Sequence, residues 1–291
     1  MAGALVTSNN AADSVPDWPL AYGKIIPPFV GGIRFEYSHR VIAAIVSILT
    51  LVLAVWIAFS RWGKPSRLAR RIGWTAFALV IAQAVLGGIR VLDGHPAVSA
   101  TAHATLGQIF FIVMVALAVY ISPWWQRDLP RLDDSGSLSV RSLAAWTTAV
   151  IFVQLILGAG FRHGAWGILP HLIGAAVVTV FVVWVGRVAK KKFRRVRAIR
   201  KSVILLHSTF GLQILLGFAA YGAVVKSIDA AQPTLSYVIL TVAHVLMGAL
   251  VLASSVLLTL VSYRLTGGRE VTSSALDAAP AAPSYPQGSK A

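Results

Sequence analysis

The sequence predicts an all-α fold, a polytopic transmembrane helical bundle of seven spans, and three observations lead there. Of the 291 residues, 57% are hydrophobic and only 12% charged, far too apolar for a soluble chain of this length. Uncharged runs of roughly 18 residues or more, enough to cross about 30 Å of hydrocarbon as helix, recur along the chain. Those runs are continuously apolar instead of alternating, which argues against the strands of a closed barrel.

The predicted spans are, in order, 41–59, 72–89, 97–125, 142–161, 164–186, 202–225 and 234–263. Arg61, Lys64, Arg67, Arg70 and Arg71 fill the first interhelical loop. Lys190, Lys191, Lys192, Arg194, Arg195, Arg197, Arg200 and Lys201 fill another. Both loops follow spans running in the same direction, so the positive-inside rule makes them cytoplasmic. Residues 1–34 and the turns near Gly94, His163 and Asp229 then face outward. The net charge of +16 is therefore topological, and it speaks against nucleic acid as a partner. The chain has no cysteine, which excludes disulfides, thiolate metal sites and thiol catalysis. Met1 to Phe29 holds no sustained apolar core of a cleavable signal peptide. The Pro- and Ala-rich segment 267–291 reads as a disordered cytoplasmic tail.

The chain also repeats itself. Gln83 precedes Leu86-Gly87-Gly88 in the second span, and Gln213 precedes Leu215-Leu216-Gly217 in the sixth, 130 residues on. His39 and His171 are offset by 132, and His103 and His244 by 141, the excess falling in a longer outer loop from Lys226 to Pro233. Two pseudo-symmetric four-helix halves follow, an amino-terminal one over 1–134 and a carboxy-terminal one over 135–266. Each half supplies one histidine at the outer end of its second helix and one near the outer end of its fourth.

Neutral imidazoles on facing helices, two per half and all toward one membrane face, are what axial ligation of a porphyrin iron requires. A single transmembrane histidine is as readily explained by an interhelical hydrogen bond, but four in register with a repeat are not. Zinc would need three or four ligands converging at one point. The expectation is two haem sites, with His39, His103, His171 and His244 as iron ligands. His95 and His163 fall in outer turns, where they are solvated or cover a haem edge, and His207 lies toward the cytoplasmic end of its span and is expected to be structural.

Glu36-Tyr37-Ser38-His39-Arg40 is the most concentrated chemistry in the chain. Helical spacing puts Glu36 on the face of His39 and one turn from Arg40, so a carboxylate stands beside a haem ligand. It could bond a haem substituent, move protons or steady a cationic intermediate, or form an ion pair with Arg40 that marks the helix start. Arg40, Arg90 and Arg162 lie at outer helix ends, where guanidinium groups could hold propionates or reach lipid headgroups.

Pro16-Asp17-Trp18-Pro19-Leu20, Tyr22-Gly23-Lys24-Ile25-Ile26-Pro27-Pro28-Phe29 and Glu36-Tyr37-Ser38-His39-Arg40, followed by the later histidine spans, resemble haem A synthase over nearly the whole chain. That resemblance implies an oxidoreductase of the bacterial plasma membrane, converting the C8 methyl of haem O to a formyl group to give the haem A of terminal oxidases. It implies that His39 and His103 bind the substrate haem, that His171 and His244 bind a haem b cofactor, and that Glu36 is the family's functional carboxylate. Implied surroundings are membrane lipid, haem O synthase and terminal oxidase assembly proteins, with an oligomer allowed.

Two departures stand out. Val15 and Ala21 occupy the neighbourhoods where many members carry a cysteine pair, so this chain resembles the cysteine-free subtype. The family has eight helices, whereas this chain opens at Met1-Ala2-Gly3-Ala4-Leu5-Val6-Thr7-Ser8, similar to the outer end of the first one and to its repeat mate Leu157-Gly158-Ala159-Gly160-Phe161-Arg162. The expectation is an apolar helix encoded in frame upstream of Met1, the alternative being a genuine seven-span variant. Two rival functions use the same four histidines: a dihaem b-type electron-transfer protein, which needs no Glu36, and a haem carrier or assembly factor. The outer-loop motif and Glu36 favour the synthase.

Overall fold

The computed structural model describes residues 1–60, 65–94, 96–129, 131–135 and 138–266. Arg61, Lys64, His95 and the tail 267–291 lie outside the described residues.

Hydrocarbon offers no partner for a backbone N–H or C=O, so uncharged runs of this length satisfy themselves as helix. The described helices are α1 (Ala2–Ser8), α2 (Ile33–Phe59), α3 (Arg67–Leu92), α4 (Ala97–Ile121), α5 (Pro123–Gln126), α6 (Val140–Arg162), α7 (Leu169–Phe193), α8 (Arg197–Lys226) and α9 (Leu235–Thr266). Seven of them, α2 to α4 and α6 to α9, are long and apolar enough to cross a membrane. Among the described residues the only β pairing is an isolated bridge between Ala21 and Lys24. The chain is a polytopic helical membrane protein, as predicted.

The helices outrun most of the predicted spans: α3 opens at Arg67 and α8 at Arg197, so Arg67, Arg70, Arg71, Arg197, Arg200 and Lys201, expected in loops, are helical, their long side chains reaching past the hydrocarbon edge. Three further boundaries have a local cause. α2 starts at Ile33, not at 41, because Glu36 and Arg40 neutralise each other one turn apart and the charged first turns remain helical. The predicted span 97–125 breaks after Ile121: Pro123 supplies no backbone N–H, and a separate short helix, α5, follows. Residues 164–168 form a turn through Gly164 at φ +77°, and α7 opens at Leu169, with Pro170 in its first turn, and runs on through Lys190–Lys192 to Phe193.

The packing echoes the repeat. α3 packs against both α2 and α4, and α8 packs against both α7 and α9. The helices joining the two sets are α4, α6 and α9, while α1 lies against α2 and α9. Arg162 of α6 holds α1 in place, donating to the Ala4 carbonyl at 3.0 Å and to Ser8 Oγ at 2.6 Å. The main buried core lies among α6 to α9, around Val182, Val185, Leu206, Leu252 and Leu258. Around α2 to α4 the buried cluster is only Ile57, Ala69 and Leu117, since three long helices enclose less interior than four. Much of the remaining apolar surface faces outward, Ile48, Trp56, Phe59 and Phe218 among it, as a lipid-facing belt requires.

Between the two sets of helices, Asp134 takes the backbone N–H groups of Val140 and Arg141 at the start of α6, together with Lys192 Nζ at 3.1 Å from the end of α7. Burial opposes its ionisation, but those donors hold its carboxyl below the usual carboxylate range.

Candidate functional site

Each of the four histidines stands near the N-terminal end of its helix, His39 on α2, His103 on α4, His171 on α7 and His244 on α9. They pair as the repeat predicts. The rings of His39 and His103 have centroids 6.4 Å apart with planes at 83°, and those of His171 and His244 are 6.3 Å apart at 85°. An iron bound between two imidazoles asks for roughly 6 Å: two metal–nitrogen bonds of about 2 Å each, plus the distance from each nitrogen to its ring centre. The donor set fits as well. Two neutral imidazoles with no further ligand suit an iron that already has four porphyrin nitrogens, and among the described residues no three His, Cys, Asp or Glu side chains converge on one point.

Glycines create the room these rings occupy. A Cβ added at Gly87 would stand 2.9 Å from His103 Cε1, one at Gly158 2.9 Å from His171 Cε1, and one at Gly217 3.1 Å from His244 Cε1. Gly3 of α1 meets His39 in the same way at 3.4 Å. Gln83, Gln154 and Gln213 stand beside His103, His171 and His244. Sequence reading noted Gln83 and Gln213 only as marks of the repeat and passed over Gln154. The signal was there, since all three precede their glycine by four residues.

Glu36 is buried, 4% exposed, and both of its oxygens are engaged. Oε1 pairs with Arg40 at 2.6 Å, and Oε2 accepts the Val15 N–H at 3.0 Å. Arg40 also donates to the carbonyls of Asp17 at 2.7 Å, Leu20 at 2.9 Å and Val15 at 3.3 Å. The pair therefore ties the outer loop onto the start of α2. Asp17 orders the loop from within by accepting from Tyr22 and Gly23, residues that turn with positive φ, and the Gly23 N–H above all keeps its carboxyl low. Trp18 lies on Gly88, one residue beyond the glycine under His103. The loop is thus seated over the end of the bundle that holds His39 and His103.

Arg90 Nε is buried without a hydrogen-bond partner among the described residues, whereas Arg162 is occupied by α1. His163 caps α6 in the field of both arginines, and burial, reinforced by those charges, pushes its pKa down to about 4. His207 lies apart from the four: its Nδ1 stands 2.8 Å from the Val203 carbonyl and its ring over Gly186, the structural role expected of it.

Comparison with known proteins bears on what such a bundle belongs to. A family model described as "Cytochrome oxidase assembly protein" matches residues 33–169. A protein named Heme A synthase from Lysinibacillus sphaericus is 23% identical over 250 residues, covering 75% of this chain and 78% of that protein. Another of that name, from Symbiobacterium thermophilum, is 28% identical over 55% of this chain and 53% of its own length. A third, from Alkalihalophilus pseudofirmus, is 31% identical over 40% of this chain and 39% of its own length. The chain is thus similar to proteins named Heme A synthase, in the first case over three quarters of its length. No solved structure matches it. The stretch that the family model matches, 33–169, begins just before Glu36, includes His39 and His103, and ends two residues before His171.

Proposed function

We propose that this protein is a haem A synthase, an oxidoreductase that converts the C8 methyl of haem O to a formyl group, giving haem A for terminal oxidases. The observation that carries this reading is the pairing of four histidines at two equivalent places, each with the ring separation that an iron held between two imidazoles would need, in a chain similar to proteins named Heme A synthase. The expected halves are 1–134 and 135–266, with His39 and His103 holding the substrate haem and His171 and His244 holding a haem b cofactor. When bound, the haem iron would supply the redox chemistry that the side chains of a cysteine-free chain do not.

The chain's own residues position and enclose. His39 and His103 fix the substrate ring from opposite helices. Glu36, held rigidly by Arg40 and the Val15 N–H, places a carboxylate one helical turn from His39, where it orders the loop and offers a proton site at the substrate's edge. Trp18, packed on Gly88, seats the loop against the end of α3 beside that site. Arg90, with a buried and unpartnered Nε, is the first choice for a propionate, followed by Arg162 and Arg40, whose present contacts would be shared or exchanged.

The sites are proposed to face outward across a bacterial plasma membrane. Lys190, Lys191 and Lys192 stand at the opposite end of α7 from His171, which agrees with basic loops inside. Haem O synthase would then be the supplier and oxidase assembly proteins the recipients. The test is extraction of haems from membranes that express the protein beside a source of haem O. Haem A is expected. Haem O bound and released unchanged would make the protein a carrier, and two b haems with no turnover of haem O would make it an electron-transfer protein.

A further inference from the structure

Three of the four paired histidines sit in a repeated interlock of four residues. Gln83 on α3, Gln154 on α6 and Gln213 on α8 each stand four residues before Gly87, Gly158 or Gly217, a spacing that stacks the two on one helix face. The histidine ring of the next helix fills the space over that glycine. The histidine helix returns the relation: Gly107, Gly174 and Gly248, three or four residues after the histidine, clear space for the glutamine amide. A Cβ would stand 3.2 Å from Gln83 Nε2 at Gly107 and 3.4 Å from Gln213 Nε2 at Gly248, and at Gly174 it would collide with Gln154 Oε1. A glycine inside a helix is destabilising relative to alanine, and here two accompany every histidine–glutamine pair.

In all three cases the amide Nε2 meets a ring nitrogen, Nε2 of His103 and His244 and Nδ1 of His171, and Nδ1 of His103 and of His244 is buried without a hydrogen-bond partner among the described residues. Gln83 Nε2 lies 3.0 Å from the His103 carbonyl and 3.3 Å from its ring Nε2. Gln154 Nε2 lies 2.9 Å from the His171 carbonyl and 3.0 Å from its ring Nδ1. Gln213 Nε2 lies 3.3 Å from His244 Nε2. In all three glutamines Oε1 is buried and has no hydrogen-bond partner among the described residues, an arrangement that is ordinarily destabilising. An imidazole that gives one nitrogen to a metal keeps its proton on the other, and that N–H needs an acceptor. The glutamine amide is the side-chain group beside that nitrogen, and turning it over about its last bond would bring the unpartnered Oε1 there in place of Nε2.

Building on the haem reading above, we infer that Gln83, Gln154 and Gln213 are positioning residues: each amide fixes the rotation of its iron-ligating imidazole, and, with the amide turned over from the orientation above, its Oε1 accepts the ligand's N–H in the haem-bound protein. The interlock sets ring rotation because glutamine and ring each fill the other helix's glycine notch. Accepting the N–H makes the imidazole a stronger electron donor, which favours ferric over ferrous iron and lowers the reduction potential.

The experiment uses the full chain purified in detergent with its haem b, as wild type, Gln154→Leu, Gln213→Leu and Gln154→Glu. Its readouts are the low-spin electron paramagnetic resonance signal, the midpoint potential and haem retention against excess apomyoglobin. Both leucine variants are expected to shift the g values, raise the potential and weaken haem retention 10- to 100-fold, the loss typical when a ligand's orienting partner is removed. Gln154→Glu, a stronger acceptor, is expected to move the potential the other way. Packing alone would not reverse the sign. Unchanged spectra and potential in the leucine variants, or a shift of the same sign in Gln154→Leu and Gln154→Glu, would overturn the inference. If Gln154→Leu does not fold, Gln213→Leu on the other helix pair decides it against Gln154→Glu. A wild-type protein without low-spin bis-histidine haem would instead sink the haem reading itself, and the inference with it.

Discussion

His171 on α7 and His244 on α9 face each other with ring centroids 6.3 Å apart, and His39 and His103 repeat that relation to within a tenth of an ångström. Neither pair is made by neighbours in sequence. In each half a third helix, α8 or α3, packs against both histidine helices and sets the distance between them. Geometry of this kind follows from the packing of whole helices, so removing one ring leaves the bundle standing.

The first prediction rests on that independence. His171→Ala and His244→Ala are each expected to abolish the b-type optical bands of the purified protein while far-ultraviolet circular dichroism stays at the wild-type level. A full haem complement in both variants would refute the cofactor assignment.

The second separates the two roles of Glu36. Its carboxylate is buried against Arg40 and the Val15 N–H, so Glu36→Ala leaves a guanidinium and a backbone donor short of a partner, at about 1–3 kcal/mol. Glu36→Gln keeps an acceptor for the loop but removes the charge and the proton site. Extracted haems should contain haem O with little haem A for both variants, and the thermal transition should fall clearly only for Glu36→Ala. Haem A at the wild-type level in Glu36→Gln would leave Glu36 with the loop alone.

The third concerns pH. His163 is held neutral in the folded protein down to about 4, whereas its ordinary value is 6.5, because burial and then the charges of Arg90 and Arg162 disfavour a second cation at the end of α6. Between those values the unfolded chain binds a proton that the folded one does not. Its contribution to stability is therefore complete above pH 6.5 and is lost as pH falls toward 4. His163→Gln should flatten this part of the stability curve, measured as the thermal transition in detergent between pH 7 and about pH 4. Parallel curves for variant and wild type would remove His163 from the account.

The sequence by itself determined the class of fold and the places where chemistry collects. Continuous apolar runs leave helix as the only answer in hydrocarbon, and the offsets of 132 and 141 residues, from His39 to His171 and from His103 to His244, mark out two equivalent histidine pairs before any coordinate is known. Linear pattern failed at places where two helices or a loop must meet. It placed the start of α2 too late, because a hydropathy window counts Glu36 and Arg40 as two charges although they pair. It left Arg40 open between propionate and lipid, because nothing local shows that the carbonyls of Val15, Asp17 and Leu20 will fold back onto it. It passed over Gln154 because a glutamine in an apolar run acquires a role only when the ring of His171 comes to rest beside it. Those were decisions of the tertiary structure: side-chain contacts between helices depend on how the helices are rotated and spaced, and glycines such as Gly158 and Gly174 allow the close approach that brings an amide to an imidazole.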